Sequence, residues 1–550
     1  MSKNLKIIPL GGLGEIGKNM TILEYGRNQI IIDCGVMFPE NDMYGIDLVL
    51  PQFDYVVENQ DILRGIVLTH GHMDHIGGLP YLLKRIKAPI YGTALALGLV
   101  KRQLEEAGIY GTELNIITEE DKIHLGPFRV SPFPVAHSIP EAMGLVIDSP
   151  VGAVVFTGDY KLDETPAGGR TTDLKRLKKL TPNGVLALLG DSTGADKPGR
   201  TQTEQVVTKT LDELFANAQG QRIIIATFSS LLARLQAIMD LAQKHGRKIA
   251  LTGRSLVENV ALARELGYMR LPDRLLVEVD AKGVNGNIPD GELIILATGS
   301  QGEPRSALNR MATGQHRQVQ VHQGDLIIIS GGTIPGNEED VGRMLNKLFE
   351  RGAEVIYGDL APIHVSGHGS RDEIQQMIET VQPRFLIPAH GESRHLHLHA
   401  GLGKAAGMDP DNIFVLRNGL VWTSDGQAAW LEASVPANEV LVDGRLIGEI
   451  GDLVMRDRQR LSQDGFIVVM VPVNGSNKLV GELQIVSRGF VNVGESGDLL
   501  EAARREVSKK LRQNNGRSGS TQDTIRHTLE NFFYRETQSR PVILSNLVQV

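Results

Sequence analysis

The chain has 550 residues, 41% of them hydrophobic and 22% charged, which is the composition of a folded protein of roughly three or four domains. Its net charge of −8 excludes a surface that attracts nucleic acid broadly, so any nucleic acid would have to enter a locally basic groove. Cys34 is the one cysteine, which excludes an intramolecular disulfide and a thiolate metal cluster and favours a reducing, cytoplasmic location. Apolar runs are short throughout, so we expect neither a signal peptide nor a membrane span.

Short strands dominate the first 203 residues, which we expect to form the first part of an α/β domain. Their apolar residues alternate or cluster over short stretches bounded by turn-forming residues, as is typical of strands. Helices are expected at residues 79–86 and 93–107, where apolar positions follow the helical period. The strands are expected at residues 6–10, 20–24, 29–33, 65–69, 128–135 and 153–157.

The pattern changes between residues 204 and 352, where buried-type strands alternate with helical stretches. Strands separated by helices are typical of parallel βαβ units, so this segment is expected to be an inserted parallel α/β domain. Its strands are expected at residues 222–227, 248–252, 293–298 and 325–330.

The first domain resumes over residues 353–422 and is therefore split in sequence by the insert. A linker at residues 423–456 loses long helices, and residues 457–550 are expected to form a small α+β domain. The resumed domain has expected strands at 354–357, 384–388 and 412–416, and the last domain has strands at 466–471 and 482–486 and helices at 499–511 and 521–534.

A glycine motif near the start resembles a dinucleotide-binding fingerprint. Gly12, Gly14 and Gly17 follow a strand, and Asp33 lies at about the distance of a ribose-binding carboxylate. A dinucleotide site needs a helix to begin at these glycines, but residues 20–24 alternate like a strand and are followed by a turn signal. The pattern therefore favours a glycine-rich turn in a hairpin over a cofactor site.

Four potential metal ligands occupy six positions directly after the strand at 65–69: His70, His72, Asp74 and His75. In an extended chain, side chains two positions apart point the same way, so His70 and His72 can share one metal ion. Asp74 and His75 are adjacent, and a turn into a helix would direct them to a second ion. A single histidine here would more often be structural, but four ligands together make that interpretation a minor one.

Each catalytic ion needs about three protein ligands and an open position, so further ligands must come from other strand ends. His137 ends the strand at 128–135, Asp159 follows the strand at 153–157, and His390 follows the strand at 384–388. These positions suit a metal site at the edge of a sheet.

The seven residues together resemble the ligand set of the metallo-β-lactamase superfamily. The resemblance implies two divalent ions and a carboxylate between them, and imidazole and carboxylate ligands without thiolate fit zinc or manganese. The resemblance assigns His70, His72 and His137 to one ion and Asp74, His75 and His390 to the other. Asp159 would bridge the two ions.

Further motifs are similar to those of the β-CASP nucleases and, within that group, the bacterial ribonuclease J family, over nearly the whole chain. The implied fold is α/β: a metallo-β-lactamase αββα sandwich split by an inserted parallel α/β (β-CASP) domain, plus a small C-terminal α+β domain. The motifs include Ser131, Pro134, His137 and Pro140; Gly190, Asp191 and Thr193; Gly253 and Ser255; residues 334–338; residues 364–368; and Pro388, His390 and Glu392.

Asp191 and His368 are the candidate catalytic residues beside the ligands. Hydrolysis of a phosphodiester leaves a 3′ oxygen that needs a proton, and a histidine oriented by a carboxylate is a suitable donor. We expect His368 to be the general acid and Asp191 to orient it. The alternative is that Asp191 caps a turn and His368 is structural.

Phosphate recognition is expected in two segments. Ser229 and Ser230 lie where a strand turns into a helix, so hydroxyl and backbone N–H groups can meet an anion there, although the serines can equally cap the helix. In ribonuclease J the equivalents of both segments line the pocket for RNA phosphate, including the 5′-monophosphate end. Leu231 and Ala233 depart from the family pattern, which usually has asparagine and histidine there. The second segment consists of His364, Val365, Ser366, Gly367 and His368.

Two other features are weaker. Asp47 and Asp443 match positions that hold a structural metal in some relatives, but exposed loop aspartates are usually solvated or in turns. The C-terminal domain carries a basic run that is more often a solvated helix face than an RNA track. Its members are Arg504, Arg505, Lys509, Lys510, Arg512 and Arg517.

Three functions are therefore compared. The resemblance implies a ribonuclease with 5′ to 3′ exonuclease and endonuclease activity on single-stranded RNA, preferably 5′-monophosphorylated, as a homodimer or tetramer that can join an RNA-decay complex. A thioesterase or lactonase explains the metals but leaves the insert and C-terminal domain without a role. A scaffold protein without activity does not explain why the ligand set is complete.

Overall fold

The computed structural model describes residues 4–286, 288–334, 336–358, 360–475, 479–491, 497–513 and 521–550. Position 335 of the 334–338 motif and Arg517 of the basic run lie outside the described residues. By its internal contacts the chain divides into one unit of Met1–Phe38 with Val49–Val440 and another of Pro39–Leu48 with Leu441–Val550. Among the described residues, helices long and apolar enough to cross a membrane are absent.

The first part of the larger unit is mainly strands, as its alternating sequence predicts. The expected helix at 79–86 is shorter than predicted, because a turn follows Leu82. The elements are β1 (Leu5–Gly11), β2 (Leu13–Gly14), β3 (Met20–Tyr25), β4 (Asn28–Ile32), β5 (Leu48–Leu50), α1 (Asp54–Glu58), β6 (Leu63–Val67), α2 (Met73–Ile76), α3 (Leu79–Leu82), β7 (Ile90–Gly92), α4 (Ala94–Glu106), β8 (Leu114–Ile116), β9 (Ile123–Leu125), β10 (Phe128–Pro134), β11 (Met143–Ser149), β12 (Gly152–Phe156), α5 (Leu174–Leu180) and β13 (Ala187–Asp191).

The glycine motif lies in strands and turns, as predicted. Strand β1 pairs antiparallel with β3, and β3 pairs antiparallel with β4. A helix that could present its N-terminus to a pyrophosphate does not follow these glycines, because the described chain from Met20 to Ile32 is a hairpin. The dinucleotide interpretation is therefore excluded for this segment.

The insert is a parallel α/β domain, as predicted, but the strand at 354–357 was wrongly expected in the resumed first domain: Glu354–Ile356 pairs with Leu326–Ile328 in the sheet of the insert. Strands β14, β15, β19, β20 and β21 pair in parallel around β14 and β19, and the isoleucines and leucines of β14, β19 and β20 are buried on both faces. The elements are α6 (Glu204–Asn217), β14 (Ile223–Thr227), α7 (Leu232–Lys244), β15 (Lys248–Thr252), α8 (Arg254–Glu265), β16 (Leu276–Val277), β17 (Val279–Asp280), β18 (Gly283–Val284), β19 (Leu293–Ala297), α9 (Ala307–Ala312), β20 (Leu326–Ser330), α10 (Glu338–Glu350) and β21 (Glu354–Ile356).

The chain then returns to the first domain. The strand expected at 412–416 was wrong: a short 3-10 turn occupies Pro410–Asn412, and Ile413 makes only an isolated bridge to Leu386. Proline and aspartate favour that turn over an extended ladder. The elements are α11 (Arg371–Val381), β22 (Phe385–Ala389), β23 (Gly391–Glu392), α12 (Ser393–Ala405), β24 (Val421–Ser424) and β25 (Ala429–Glu432).

Two sheets face each other to form the αββα sandwich. One has the strand order β25-β24-β1-β3-β4-β6-β7-β8 and the other β22-β13-β12-β11-β10-β9. Ile7 lies opposite Leu23 and Trp422 in the first sheet, so their side chains share one face, and they join Phe128 and Leu145 of the second sheet in one buried core. Helices α5 and α11 cover the outer face of the second sheet.

The smaller unit contains the C-terminal α+β fold. Strand β28 lies between β29 and β30, and its inward side chains pack against Phe533 and other apolar residues of helices α14 and α15. Burial alternates along β28, which is the period expected when one face of a sheet is covered. The elements are β26 (Val440–Asp443), β27 (Leu446–Ile447), α13 (Asp452–Asp464), β28 (Phe466–Val473), β29 (Gln484–Arg488), α14 (Gly497–Gln513), α15 (Thr521–Thr537) and β30 (Val542–Gln549).

Phe533→Ala should lower the free energy of unfolding of the smaller unit by about 3–5 kcal/mol, because the ring is fully buried. Tyr534→Ala is the matched control: that ring is 42% exposed, and its loss should cost about 1 kcal/mol. Differential scanning calorimetry of the full chain measures both variants. Equal effects of the two substitutions would contradict the packing described for this unit.

Candidate metal centre

Three of the expected site residues meet at one sheet edge. Strands β12, β13 and β22 are parallel neighbours, so their carboxyl ends lie side by side. Asp159 follows the first strand, Asp191 is the last residue of the second, and His390 follows the third. Parallel pairing therefore collects side chains that are up to 231 positions apart in sequence, from 159 to 390.

The loop after β6 contributes the other cluster. His70 and His72 precede helix α2 in extended chain, and Asp74 and His75 belong to its first turn. His70 Nε2 lies 3.0 Å from His72 Nδ1, as expected for side chains two apart on one side of an extended chain. His72 Nδ1 lies 3.2 Å from Nε2 of His137, which follows β10.

The seven expected ligands converge on two groups that share Asp159. The ligand atoms of each group lie within 4.8 Å of one another. One Asp159 oxygen lies 3.3 Å from His75 Nε2 and 3.6 Å from His70 Nε2, and the other lies 3.6 Å from His390 Nε2. The groups are His70, His72, His137 and Asp159, and Asp74, His75, Asp159 and His390.

The first group presents neutral imidazoles. Burial lowers the pKa of His70 well below its ordinary value, that of His72 to about 4 and that of His137 to about 3. A neutral imidazole is the form that binds a metal ion. The charge state of these rings therefore fits a cation site.

The second group places two carboxylates beside two imidazoles. Burial opposes the charged form of His75 and His390, but neighbouring carboxylates, above all Asp159, outweigh burial and raise the pKa of both rings well above the ordinary value. In addition, Asp159 Oδ1 is buried without a hydrogen-bond partner among the described residues. An orphaned carboxylate oxygen surrounded by imidazole nitrogens fits a divalent cation, which would satisfy the oxygen and balance the charge.

Hydrogen bonds orient several of the rings. Asp33 accepts from His75 Nδ1 at 2.7 Å, and Gly367 O accepts from His137 Nδ1 at 2.8 Å, which leaves Nε2 of each ring for a metal. Thr193 Oγ1 lies 2.7 Å from His390 Nδ1. Partners of this kind fix the tautomer of a ligating histidine.

The sequence interpretation missed the role of Asp33. It was considered only as a ribose-binding carboxylate, yet β4 runs parallel to β6, and this brings its end beside the His70–His75 loop. Asp33 is fully buried and also accepts from Thr69 N and Thr69 Oγ1. An aspartate directly after a buried strand was the available signal, the same one that identified Asp159. Thr193 was named only as part of a family motif, and Asn19, which contacts His75, carries no comparable signal.

His368 and Asp191 form the expected pair. His368 Nδ1 donates to Asp191 Oδ2 at 2.7 Å, and Asp191 Oδ1 accepts from Thr193 N. Burial lowers and the Asp191 carboxylate raises the pKa of His368, and the net direction is upward. The His368 ring centroid is 5.1 Å from that of His137 and 5.4 Å from that of His390. A histidine whose charged form is stabilised by Asp191 is thus held beside the ligand groups.

The two expected phosphate segments lie near each other. The Phe228 ring, next to Ser229, is 6.5 Å from the His364 ring. Neither serine caps helix α7: Leu231 is its N-cap residue, without a side-chain hydrogen bond, and Ser229 instead accepts from Asn259. The capping alternative is therefore excluded.

The remaining residues of the second segment divide between packing and exposure. Val365 is buried and Ser366 is exposed, and Ser366 Oγ accepts from His368 N. Arg234, a residue not anticipated from the sequence, is buried, pairs with Glu204 at 2.6 Å and donates to His364 Nδ1 at 2.8 Å. The arginine therefore ties the insert to the 364–368 loop.

A cavity of about 180 Å³ opens beside His137 and Gly367, between the sandwich and the insert. Leu231 and Ala233 line it, together with basic residues that include Lys161. Lys161 lies 3.2 Å from Asp163, so its charge is already paired. The wall combines apolar surface with paired charges.

The two aspartates expected to hold a structural metal have protein partners. Asp443 pairs with Arg458 at 2.6 Å, and Asp47 accepts from Gly444 N at 2.8 Å. A metal there stays a prediction. In the basic run, Arg504 pairs with Glu501.

Four protein-family models match the chain. Residues 13–197 match the metallo-beta-lactamase superfamily, and residues 220–348 match the ribonuclease J beta-CASP domain. Residues 354–415 match the Zn-dependent metallo-hydrolase RNA specificity domain, and residues 453–550 match the ribonuclease J C-terminal domain. Together these matches extend over most of the chain.

Curated relatives match the chain over nearly its full length. Ribonuclease J2 of Bacillus subtilis is 38% identical over 100% of this chain and 99% of its own. Ribonuclease J 1 of Streptococcus pyogenes is 40% identical over 98% and 96%, and ribonuclease J of Thermus thermophilus is 37% identical over 99% and 95%. A crystal structure of an Enterococcus faecalis protein of unknown function shares the fold, with 14% identity, a TM-score of 0.52 and coverage of 76% of this chain and 99% of that one. The chain belongs to the ribonuclease J family of the metallo-β-lactamase superfamily.

Proposed function

We propose that the protein is a metal-dependent ribonuclease that hydrolyses RNA phosphodiester bonds in RNA maturation and decay. The observation that carries the proposal is the convergence of two ligand groups on Asp159 directly beside the His368–Asp191 pair. Family membership supports RNA as the substrate. A thioesterase or lactonase activity is not favoured, because it gives the insert and the C-terminal domain no role.

Two divalent ions would be held, one by each ligand group, with Asp159 shared between them. Zinc is favoured by the imidazole-rich set, and manganese also suits these ligands. When bound, the ions would activate water and neutralise charge on the phosphate. The protein holds the ligand nitrogens ready, because Asp33 and Gly367 O occupy the other nitrogen of His75 and His137.

His368 is proposed to protonate the leaving 3′ oxygen. Its Nδ1–H donates a hydrogen bond to Asp191, so the proton on Nε2 is the one that can be transferred to the leaving oxygen. Asp191 keeps the ring protonated and fixes its orientation, since Thr193 N holds the second carboxylate oxygen. Products would then carry 5′ phosphates, because the bond to the 3′ oxygen breaks.

Single-stranded RNA is proposed to enter between the sandwich and the insert. Ser229, Ser230 and residues 364–368 are proposed to contact its phosphates, with preference for a 5′-monophosphate, 5′ to 3′ exonuclease activity and endonuclease capacity. Support comes from the proximity of the two segments to each other and to the metal ligand His137. Leu231 and Ala233 supply no hydrogen bond to a terminal phosphate from their side chains.

The domain limits derived from the sequence are also proposed: 1–203 and 353–422 for the sandwich, 204–352 for the insert, 423–456 for the linker and 457–550 for the C-terminal domain. Strand pairing shifts two of these limits, because β21 (Glu354–Ile356) lies in the sheet of the insert and β25 (Ala429–Glu432) lies in the first sheet of the sandwich. The C-terminal domain is proposed to assemble the protein into a homodimer or tetramer. The protein is also proposed to be located in the cytoplasm and to join an RNA-decay complex. Size-exclusion chromatography with light scattering measures the assembly.

Asp159→Ala should remove most bound metal and lower RNA cleavage by about 1,000-fold or more, because both ligand groups lose their shared carboxylate. Elemental analysis of the purified chain should give two divalent ions per wild-type subunit, and a chelator should abolish its cleavage of RNA. Asp290→Ala, at an exposed position in the insert, is the control and should change neither quantity. RNA cleavage at the wild-type rate by metal-free Asp159→Ala protein would contradict the two-metal proposal.

His368→Ala should lower kcat by about 100- to 10,000-fold while metal content is kept, because the proton donor is lost but the ligands are not. His397→Ala, an exposed histidine on α12, should behave like wild type. Single-turnover cleavage of labelled RNA measures the rate, and an unchanged rate would reject the assignment of His368.

RNA labelled at its 3′ end should be shortened from the 5′ end, and a 5′-monophosphorylated substrate should be degraded faster than the same RNA with a 5′-triphosphate. Resolving the products against a sequencing ladder reports polarity and end preference together. Products that shorten from the 3′ end would contradict the proposed direction, and equal rates on the two ends would contradict the 5′-monophosphate preference.

A further inference from the structure

A buried carboxylate outside the ligand groups binds three separate chain segments. Glu373, in the first turn of α11, is 1% exposed. Its Oε1 accepts from Leu162 N at 2.7 Å, and its Oε2 accepts from Thr201 N at 2.7 Å and from Ser370 N at 2.9 Å. Burial of a carboxylate is costly unless hydrogen bonds of this kind satisfy it.

Helix capping accounts for only one of these bonds. Ser370 and Glu373 form a capping box at the start of α11, which explains the bond from Ser370 N. Leu162 and Thr201 lie outside that helix, 211 and 172 positions away in sequence. The other two hydrogen bonds therefore do not cap the helix; they connect Glu373 to distant segments of the chain.

All three segments that Glu373 binds lie close to Asp159 or His368, in sequence or through a hydrogen bond. Leu162 lies three positions after Asp159, and Ser370 lies two positions after His368. Thr201 Oγ1 donates to His368 O at 2.7 Å, so the segment that Glu373 holds also holds the backbone of the proposed acid. In addition, Gly369 N donates to Tyr160 O at 2.7 Å, which ties the two loops directly.

Tight packing around the His368 loop means that a small displacement of the loop's anchor would also move His368. A Cβ atom at Gly194 would lie 2.1 Å from Gly369 O, and one at Gly367 would lie 2.8 Å from His137 Cε1. The loop that carries His368 is thus confined on both sides of the histidine. Displacement of its anchor would change the ring position instead of being absorbed by free space.

We propose that Glu373 is a positioning residue for proton donation by His368. The carboxylate fixes the His368 loop relative to the loop of Asp159, so that the acid faces the leaving oxygen. The inference rests on the proposed ribonuclease function. A displacement of about 1 Å can cost on the order of 100-fold in rate, so a lost anchor should be visible in kcat.

The test compares two leaving groups. Glu373→Gln replaces one accepting oxygen with a donor and should lower kcat on ordinary RNA by about 10- to 100-fold, with KM little changed. A substrate with sulfur in place of the 3′ oxygen at one linkage leaves as a thiolate, whose conjugate acid has a pKa of about 8.5, and needs no proton donor. The rate of Glu373→Gln on this substrate should be close to that of wild type. His368→Ala should show the same pattern and calibrates it.

Two further variants separate positioning from general stability. Thr201→Val keeps the side-chain shape but removes the hydroxyl that donates to His368 O, so it should repeat the leaving-group dependence to a smaller extent. Asp325→Asn removes part of a buried ion pair with Arg222 in the insert, and should lower the melting temperature without leaving-group dependence.

Glu373→Gln losses that are equal on the oxygen and sulfur substrates, or no loss on either, would overturn the inference. A Thr201→Val variant that behaves like Asp325→Asn would overturn it as well. Wild-type protein that cuts neither substrate would instead reject the proposed function, which keeps the two failures distinguishable.

Discussion

The carboxylate of Asp159 is the group around which the site is built. Nitrogens of four histidines lie 3.3–3.7 Å from its two oxygens, and one of those oxygens has no hydrogen-bond partner among the described residues. A buried charge in this position costs free energy in the absence of a cation. The rest of the centre follows from that constraint, since the rings must present their free nitrogens inward and outer partners must hold them there.

The sandwich and the insert meet at the segment that carries the proposed acid. Residues 364–368 contact the proposed metal ligand His137 through Gly367 and the insert through Arg234 and His364. Arg234 is buried and paired with Glu204, so the insert is fixed to this loop by hydrogen bonds as well as apolar contact. Contacts with both domains therefore fix the position of the proposed acid, His368. One loop is thereby placed for both the proposed proton transfer and the proposed contact with RNA phosphates.

Much of the fold could be predicted from the residues because burial leaves a period in the sequence. Four strands of the insert, β14, β15, β19 and β20, are largely apolar runs, as parallel strands covered on both faces must be, and they were predicted to within one residue of their ends. The two-residue strands β16, β17 and β18 were not predicted. The strand at 412–416 was wrong because a few apolar residues next to a proline do not reveal whether a neighbouring strand will pair with them. The helix expected at 79–86 was predicted too long, because a turn follows Leu82 at the end of α3.

The sequence by itself determined the donor set, since His70, His72, Asp74 and His75 lie so close together that their chemistry is visible without a fold. It also placed His137, Asp159 and His390 at strand ends. The resemblance divided these residues into two sets, and only the tertiary structure decided how closely the sets converge, because the approach of Asp159 to His390 depends on the parallel order of β12, β13 and β22. The same is true of Asp33, Arg234 and Glu373. Each acts through backbone or ring atoms that are distant in sequence, and no local pattern records a contact made across the folded chain.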